Sequence, residues 1–116
     1  MTDLYSEYER ATHFFEAGDP VEAARLLLPV VDAEPGNSSA RLLLARAYFA
    51  SAQLERAEEQ LRWLVERDPS DDYAHFVLGR TLQRQSRAEA ALVHLRMAVA
   101  LRNRPEYTEA LNRAEI

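Results

Sequence analysis

His13, His75 and His94 are the chain's only imidazoles, and helical periodicity places them on three different helices. Helix phase points His94 outward and His75 toward a packed seam. The carboxylates Glu55, Glu58 and Glu59 share one outer helix face, the pattern of a solvated surface. Three glycines form no phosphate-cradling loop, and there is no Gly-x-Ser-x-Gly turn to expose a nucleophile. The absence of cysteine removes disulfides and thiolate zinc sites. No constellation meets the geometric demands of catalysis, so the expectation is no catalytic residue, no metal ligand and no cofactor. The basic residues are 14 arginines with no lysine. Arginine suits planar, two-pronged contact with carboxylates, although a coding bias of the source accounts for the count as simply.

A chain of 116 residues with 47% hydrophobic and 28% charged residues reads as one globular domain spanning residues 1–116. Its formal net charge of −5 argues against general nucleic-acid affinity. No run approaches the ~18 apolar residues of a membrane span. The first seven residues lack the basic-then-apolar order of a secretory leader, so the expected location is cytoplasmic.

The elements behind these residues come from periodicity. Leu4, Tyr8, Ala11, Phe14 and Phe15 predict a helix over 4–17, ended by Gly18. Asp19-Pro20-Val21-Glu22 predicts the next start, with Asp19 capping, Pro20 in the first position and Glu22 closing a capping box. Pro29 predicts a kink in that second helix. Glu34-Pro35-Gly36-Asn37 and Asp68-Pro69-Ser70-Asp71 predict turns. Further helices follow over 38–51, 54–67, about 72–85 and about 88–101, with Ser86-x-x-Glu89 as a second capping box.

One unit recurs three times without gaps. Leu44, Ala45, Tyr48, Ala57, Leu61, Leu64 and Pro69 are matched 34 residues earlier by Arg10, Ala11, Phe14, Ala23, Leu27, Val30 and Pro35. The same step forward gives Leu78, Gly79, Leu82, Ala91, Leu95, Ala98 and Asn103. The small pairs Ala11/Ala23, Ala45/Ala57 and Gly79/Ala91 predict three close helix crossings. The final stripe, Tyr107, Ala110, Leu111 and Ala114, predicts a helix over 106–115 out of phase with the repeat by two residues. It would cap the sixth helix by covering Leu92, Val93, Leu95, Met97 and Val99.

This period and its residues resemble the tetratricopeptide repeat family, whose pattern is W-x2-L-G-x2-Y, A-x3-F and P. The Trp place holds Glu7, Arg41 and His75 instead, and Arg10 and Asn103 also depart from the pattern. The resemblance covers roughly residues 4–103. It implies an all-α solenoid of three helix pairs (about 4–37, 38–71 and 72–103) plus the capping helix, seven helices in all.

The resemblance further implies a non-enzymatic adaptor, whose concave groove takes a peptide segment or helix of another protein. The first helix of each pair would line it: Tyr8, Thr12 and Phe15, with Tyr5 and Glu16; then Leu42, Leu43, Arg46 and Phe49; then Tyr73, Phe76, Val77, Arg80, Gln83 and Arg84. For several of these, Tyr8 and Phe15 foremost, a place in the core is the alternative. Glu9 and Glu16 at one end oppose Arg46, Arg80 and Arg84 toward the other, so an acidic segment or free carboxylate would dock near the arginines. The chaperone-tail clamp of Lys, Asn and Arg is not reproduced, since those places hold Tyr8, Thr12, Leu43, Tyr73 and Val77. Burial of about 400 Å² of apolar surface is worth roughly 10 kcal/mol gross. After association costs of about 4–15 kcal/mol, micromolar affinity or weaker remains. The alternative partner is a second copy of the chain, suggested by Trp63 on the flank of an outer helix in line with Pro29 and Met97.

Overall fold

A 34-residue unit built from two helical stripes requires a helix, a tight turn, a second helix and a looser turn. The structure, a computed structural model that describes residues 3–115, follows that order. Its helices are α1 (Leu4–Glu16), α2 (Pro20–Ala33), α3 (Ser38–Ala50), α4 (Leu54–Arg67), α5 (Asp72–Arg84), α6 (Ala88–Leu101) and α7 (Pro105–Ala114). No strand occurs among the described residues. The fold class is all-α, the expected α-solenoid class of helix pairs with a terminal helix. α2 continues through Pro29, which lies on its exposed side.

The tight turn is the same object three times. Gly18 takes φ +87°, its N–H donates to the Phe15 carbonyl at 3.1 Å, and the Asp19 N–H donates to the Phe14 carbonyl at 2.8 Å. This crossed pair of bonds satisfies the last carbonyls of α1. Ala52 and Gln53 repeat it on Phe49 and Tyr48, and Ser86 and Arg87 on Gln83 and Leu82. Ala52 (φ 60°) and Ser86 (φ 62°) thus hold the left-handed conformation that glycine adopts without strain.

Two expected capping boxes are corrected. Ser86 ends α5's turn, Arg87 stands at the cap position of α6, and no side chain caps there. Asp19 does accept from the Glu22 N–H at 3.1 Å, but Glu22 directs both carboxylate oxygens at Arg25. At the looser turns, Asn37 and Asp71 accept from the Ala40 and Ala74 N–H groups, each at 3.0 Å.

The chain divides into two compact units between Gln60 and Leu61, within α4. In the N-terminal unit α2 packs against both α1 and α3, and Ala11, Ala23, Leu27, Leu44, Ala45 and Ala57 are fully sealed. In the C-terminal unit α5 packs on α6, and Leu61, Leu78, Leu82, Ala91, Leu95 and Tyr107 are sealed. The close crossing there is literal. A methyl group added at Gly79 would lie 2.7 Å from the Leu95 side chain and 3.3 Å from the Ala91 carbonyl oxygen.

α7 packs on α6 and α5, burying Tyr107 and Ala110, while Arg113 stays exposed. Its register slip is one residue, not two. α7 begins at Pro105 where α5 begins at Asp72, and the buried pair Tyr107/Ala110 stands where Ala74/Val77 stand on α5. The cover over α6 is also narrower than expected. Val93 and Met97 remain 60% and 42% exposed, because α7 reaches only one side of that helix.

Candidate functional site

The first helix of each pair carries a row at i, i+4 and i+7, which places three side chains on one helical face. The rows are Tyr8, Thr12 and Phe15 on α1; Leu42, Arg46 and Phe49 on α3; and Phe76, Arg80 and Gln83 on α5. All nine are half-buried: each rests on packed neighbours and keeps part of its surface toward solvent. Tyr73 is likewise half-buried, and Arg84 is exposed. Leu43 and Val77, at 5% and 6% exposure, lie in the interior one residue along from the rows. Much of the apolar breadth of α3 and α5 is core for the same reason: Ala47 and Tyr48 on one, Thr81 and Leu82 on the other, are buried.

Within the N-terminal unit, Arg46 joins the rows of α1 and α3, its guanidinium carbon 4.8 Å from the Phe15 ring centre. The Thr12 hydroxyl donates to the Tyr8 carbonyl at 3.0 Å. Tyr8 also lines a cavity of about 770 Å³ with Leu4, Tyr5, Val30, Glu34 and Asn37. Tyr5, at 70% exposure, is the most open aromatic side chain.

Within the C-terminal unit the row on α5 is an aromatic cluster. Phe76 has Tyr73 at 6.2 Å, Tyr107 at 4.7 Å and the Arg80 guanidinium at 5.9 Å. Tyr107 of α7 is fully buried, and its hydroxyl donates to the Asp72 carboxylate at 2.7 Å. Burial first, and that carboxylate second, push its phenol well above the usual range. Sequence reasoning placed Tyr107 in the cap alone. Its contact with Phe76 follows from the one-residue slip, which no composition signal announces.

His75 is buried as expected, but His94 does not point outward. It is half-buried against His75, with the two rings stacked and their Nδ1 atoms 3.0 Å apart. Among the described residues, no group of three or more His, Asp or Glu side chains is placed to hold a metal ion. No helix among them is long and apolar enough to cross a membrane. Trp63 is half-buried, with the Arg67 guanidinium 5.1 Å from its ring centre. On α6, Val93, Met97 and Leu101 form an exposed i, i+4, i+8 stripe.

The tetratricopeptide repeat profile matches residues 14–80. Among solved structures, the first TPR of Spaghetti (RPAP3), bound to the HSP90 peptide SRMEEVD, superposes with a TM-score of 0.90 at 23% identity, covering 97% of this chain and 90% of that one. The second TPR domain of human RPAP3, in complex with the HSP70 peptide SGPTIEEVD, gives 0.90 at 19% identity, covering 97% and 94%. YrrB, a TPR protein with an unusual peptide-binding site, gives 0.89 at 22% identity; all of this chain spans 59% of that protein. At these identities the likeness is one of fold. No curated protein matches the chain in sequence.

Proposed function

The chain belongs to the tetratricopeptide repeat family, and from that premise we propose that it is a non-enzymatic interaction module. It holds a peptide segment or helix of a partner protein against the first helices of its repeats, the residues that line the family's groove. The observation that carries this reading is that each unit presents half-exposed side chains at the same repeat positions, two rows of three on α1 and α3 and one on α5, mixing aromatic surface with Arg46 in one unit and Arg80 in the other. Half-exposed aromatics offer area at little cost in conformational freedom, and arginine beside them fits a carboxylate.

Two neighbours in fold bind peptides that end in the acidic sequence EEVD. That supports a partner with an acidic segment or free carboxylate, docked near Arg46, Arg80 and Arg84, by a different residue set from the chaperone-tail clamp. Leu43 and Val77 act from the interior, by holding the helices that carry the rows. The interaction is transient, at micromolar affinity or weaker. Lack of cysteine is in keeping with work in the cytoplasm.

Selection from a displayed library of peptides with free carboxyl termini, followed by titration, tests the reading. Phe49→Ala and Arg80→Glu are expected to abolish binding of the selected peptides while thermal unfolding stays cooperative. Unchanged binding by both variants rejects it. Self-association is a second reading, favoured by the Val93/Met97/Leu101 stripe on α6. Light scattering across concentration decides it, and a monomer throughout removes it.

A further inference from the structure

The position that the family fills with Trp is occupied by a polar side chain in each copy, and in two copies that side chain does the same mechanical work. Arg41 Nε donates to the Pro35 carbonyl at 2.7 Å, and its guanidinium donates to the Gln60 side-chain oxygen at 3.0 Å, 19 residues on. His75 Nε2 lies 2.9 Å from the Pro69 carbonyl, and its Nδ1 lies 3.0 Å from Nδ1 of His94, again 19 residues on. Each is a clip that ties the turn before a repeat to that repeat's second helix. We propose that the His75–His94 clip is a pH-sensitive version of the Arg41–Gln60 clip, closed at neutral pH and released on acidification, so that the α5–α6 pair loosens independently of the N-terminal unit.

The tautomers follow from the partners. A carbonyl only accepts, so His75 Nε2 carries its proton toward Pro69 and its Nδ1 is the acceptor. His94 must then donate from Nδ1. A proton added to His94 Nε2 charges a half-buried ring. A proton added to His75 Nδ1 sets two N–H donors against each other and breaks the clip. Arg and Gln in the second copy have no such choice, since neither titrates in this range.

The surroundings of the pair set the sign. α4 contributes Arg62, and burial first, then His75 and Arg62, hold His94 below its ordinary value. The turn contributes Asp68, whose carboxylate accepts from the Ser70 N–H and hydroxyl at 3.1 and 2.7 Å and feels His75. Just before α5, Asp71 accepts from the Ala74 N–H, and Asp72 at the start of α5 is taken by Tyr107 of α7 with Arg102 3.9 Å away. Arg96, also on α6, is exposed. A histidine neutral in the fold takes up its proton preferentially when unfolded. Stability is therefore complete above the ordinary histidine range and falls as pH drops through it.

The test uses the full chain. Nitrogen-15 shifts of the imidazoles at pH 8 are expected to show Nε2–H on His75 and Nδ1–H on His94, with His94 titrating below the ordinary histidine value. Amide exchange, corrected for its intrinsic pH dependence, is expected to lose protection in α5 and α6 by up to about tenfold per pH unit below pH ~6.5. The double variant H75R/H94Q, which transplants the second copy's pair, is expected to keep α5–α6 protection at pH 8 and lose that slope. A His94 that titrates at or above the ordinary histidine value, the opposite tautomers, or an unchanged slope in H75R/H94Q each overturn the proposal. The imidazole measurements need no variant, so they decide even where H75R/H94Q does not fold. None of these readouts depends on a bound partner.

Discussion

The Tyr107 hydroxyl reaches Asp72 at 2.7 Å while its ring lies 4.7 Å from Phe76, so one side chain fastens α7 to both the start and the exposed row of α5. Tyr107→Phe keeps the ring and deletes the bond. A hydrogen bond to a charged group is worth about 1.5–3 kcal/mol, and partial exposure of Asp72 moderates it, so a loss of about 1–2 kcal/mol is expected. Urea unfolding reads this as a lower midpoint at constant slope. The raised pKa carries a sign. A phenol that stays neutral in the fold stabilises fully below its unfolded pKa of about 10, and that contribution fades as pH rises past it. The stability difference between the parent chain and Tyr107→Phe therefore narrows above pH ~10. A gap that stays constant through that range removes the assignment of the bond.

Among the elements, most of the helix plan was legible, because period, proline and caps all point one way: the six expected helices of the repeats start or stop within a residue or so of the observed ends. The looser turns at 34–37 and 68–71 were legible from their prolines, but the tight turns within each pair were legible only at Gly18. Ala52 and Ser86 hold the same left-handed conformation, but nothing in their side chains announces it, and Ser86 mimics a helix start. The exposed rows were legible as positions, from the repeat frame. The clip and the Tyr107–Phe76 contact were not, since they depend on which side chains three-dimensional packing brings together. The turn yields a prediction of its own. Ala in the left-handed region costs about 1–2 kcal/mol, partly offset by the freer unfolded chain that glycine brings. Ala52→Gly should then stabilise by about 0.5–1 kcal/mol, and Gly18→Ala should destabilise by a similar amount despite the open space around it. Thermal unfolding of both checks this, and the same sign for both would refute it.

At the scale of the whole molecule, repeat proteins draw stability from each unit's own packing and from its immediate neighbours. α7 contacts α6 and α5, and it contributes two residues, Tyr107 and Ala110, that are buried there. Truncation after Asn103 would return Tyr107's seat and the flank of Phe76 to water. Deleting a buried aromatic typically costs about 3–5 kcal/mol, a large share of what one helix pair can hold. The expected outcome is uneven. Hydrogen exchange protection should collapse across α5 and α6 while α1, α2 and α3, whose sealed core includes Leu27, Leu44 and Ala45, keep most of theirs. A uniform fall along the chain would mean instead that the two compact units unfold as one cooperative body, and full protection everywhere would mean that α7 is no cap. Peptide binding by the truncated chain then separates the rows. A segment held mainly by α1 and α3 survives the truncation, whereas one that relies on Phe76 and Arg80 is lost with the helix that carries them.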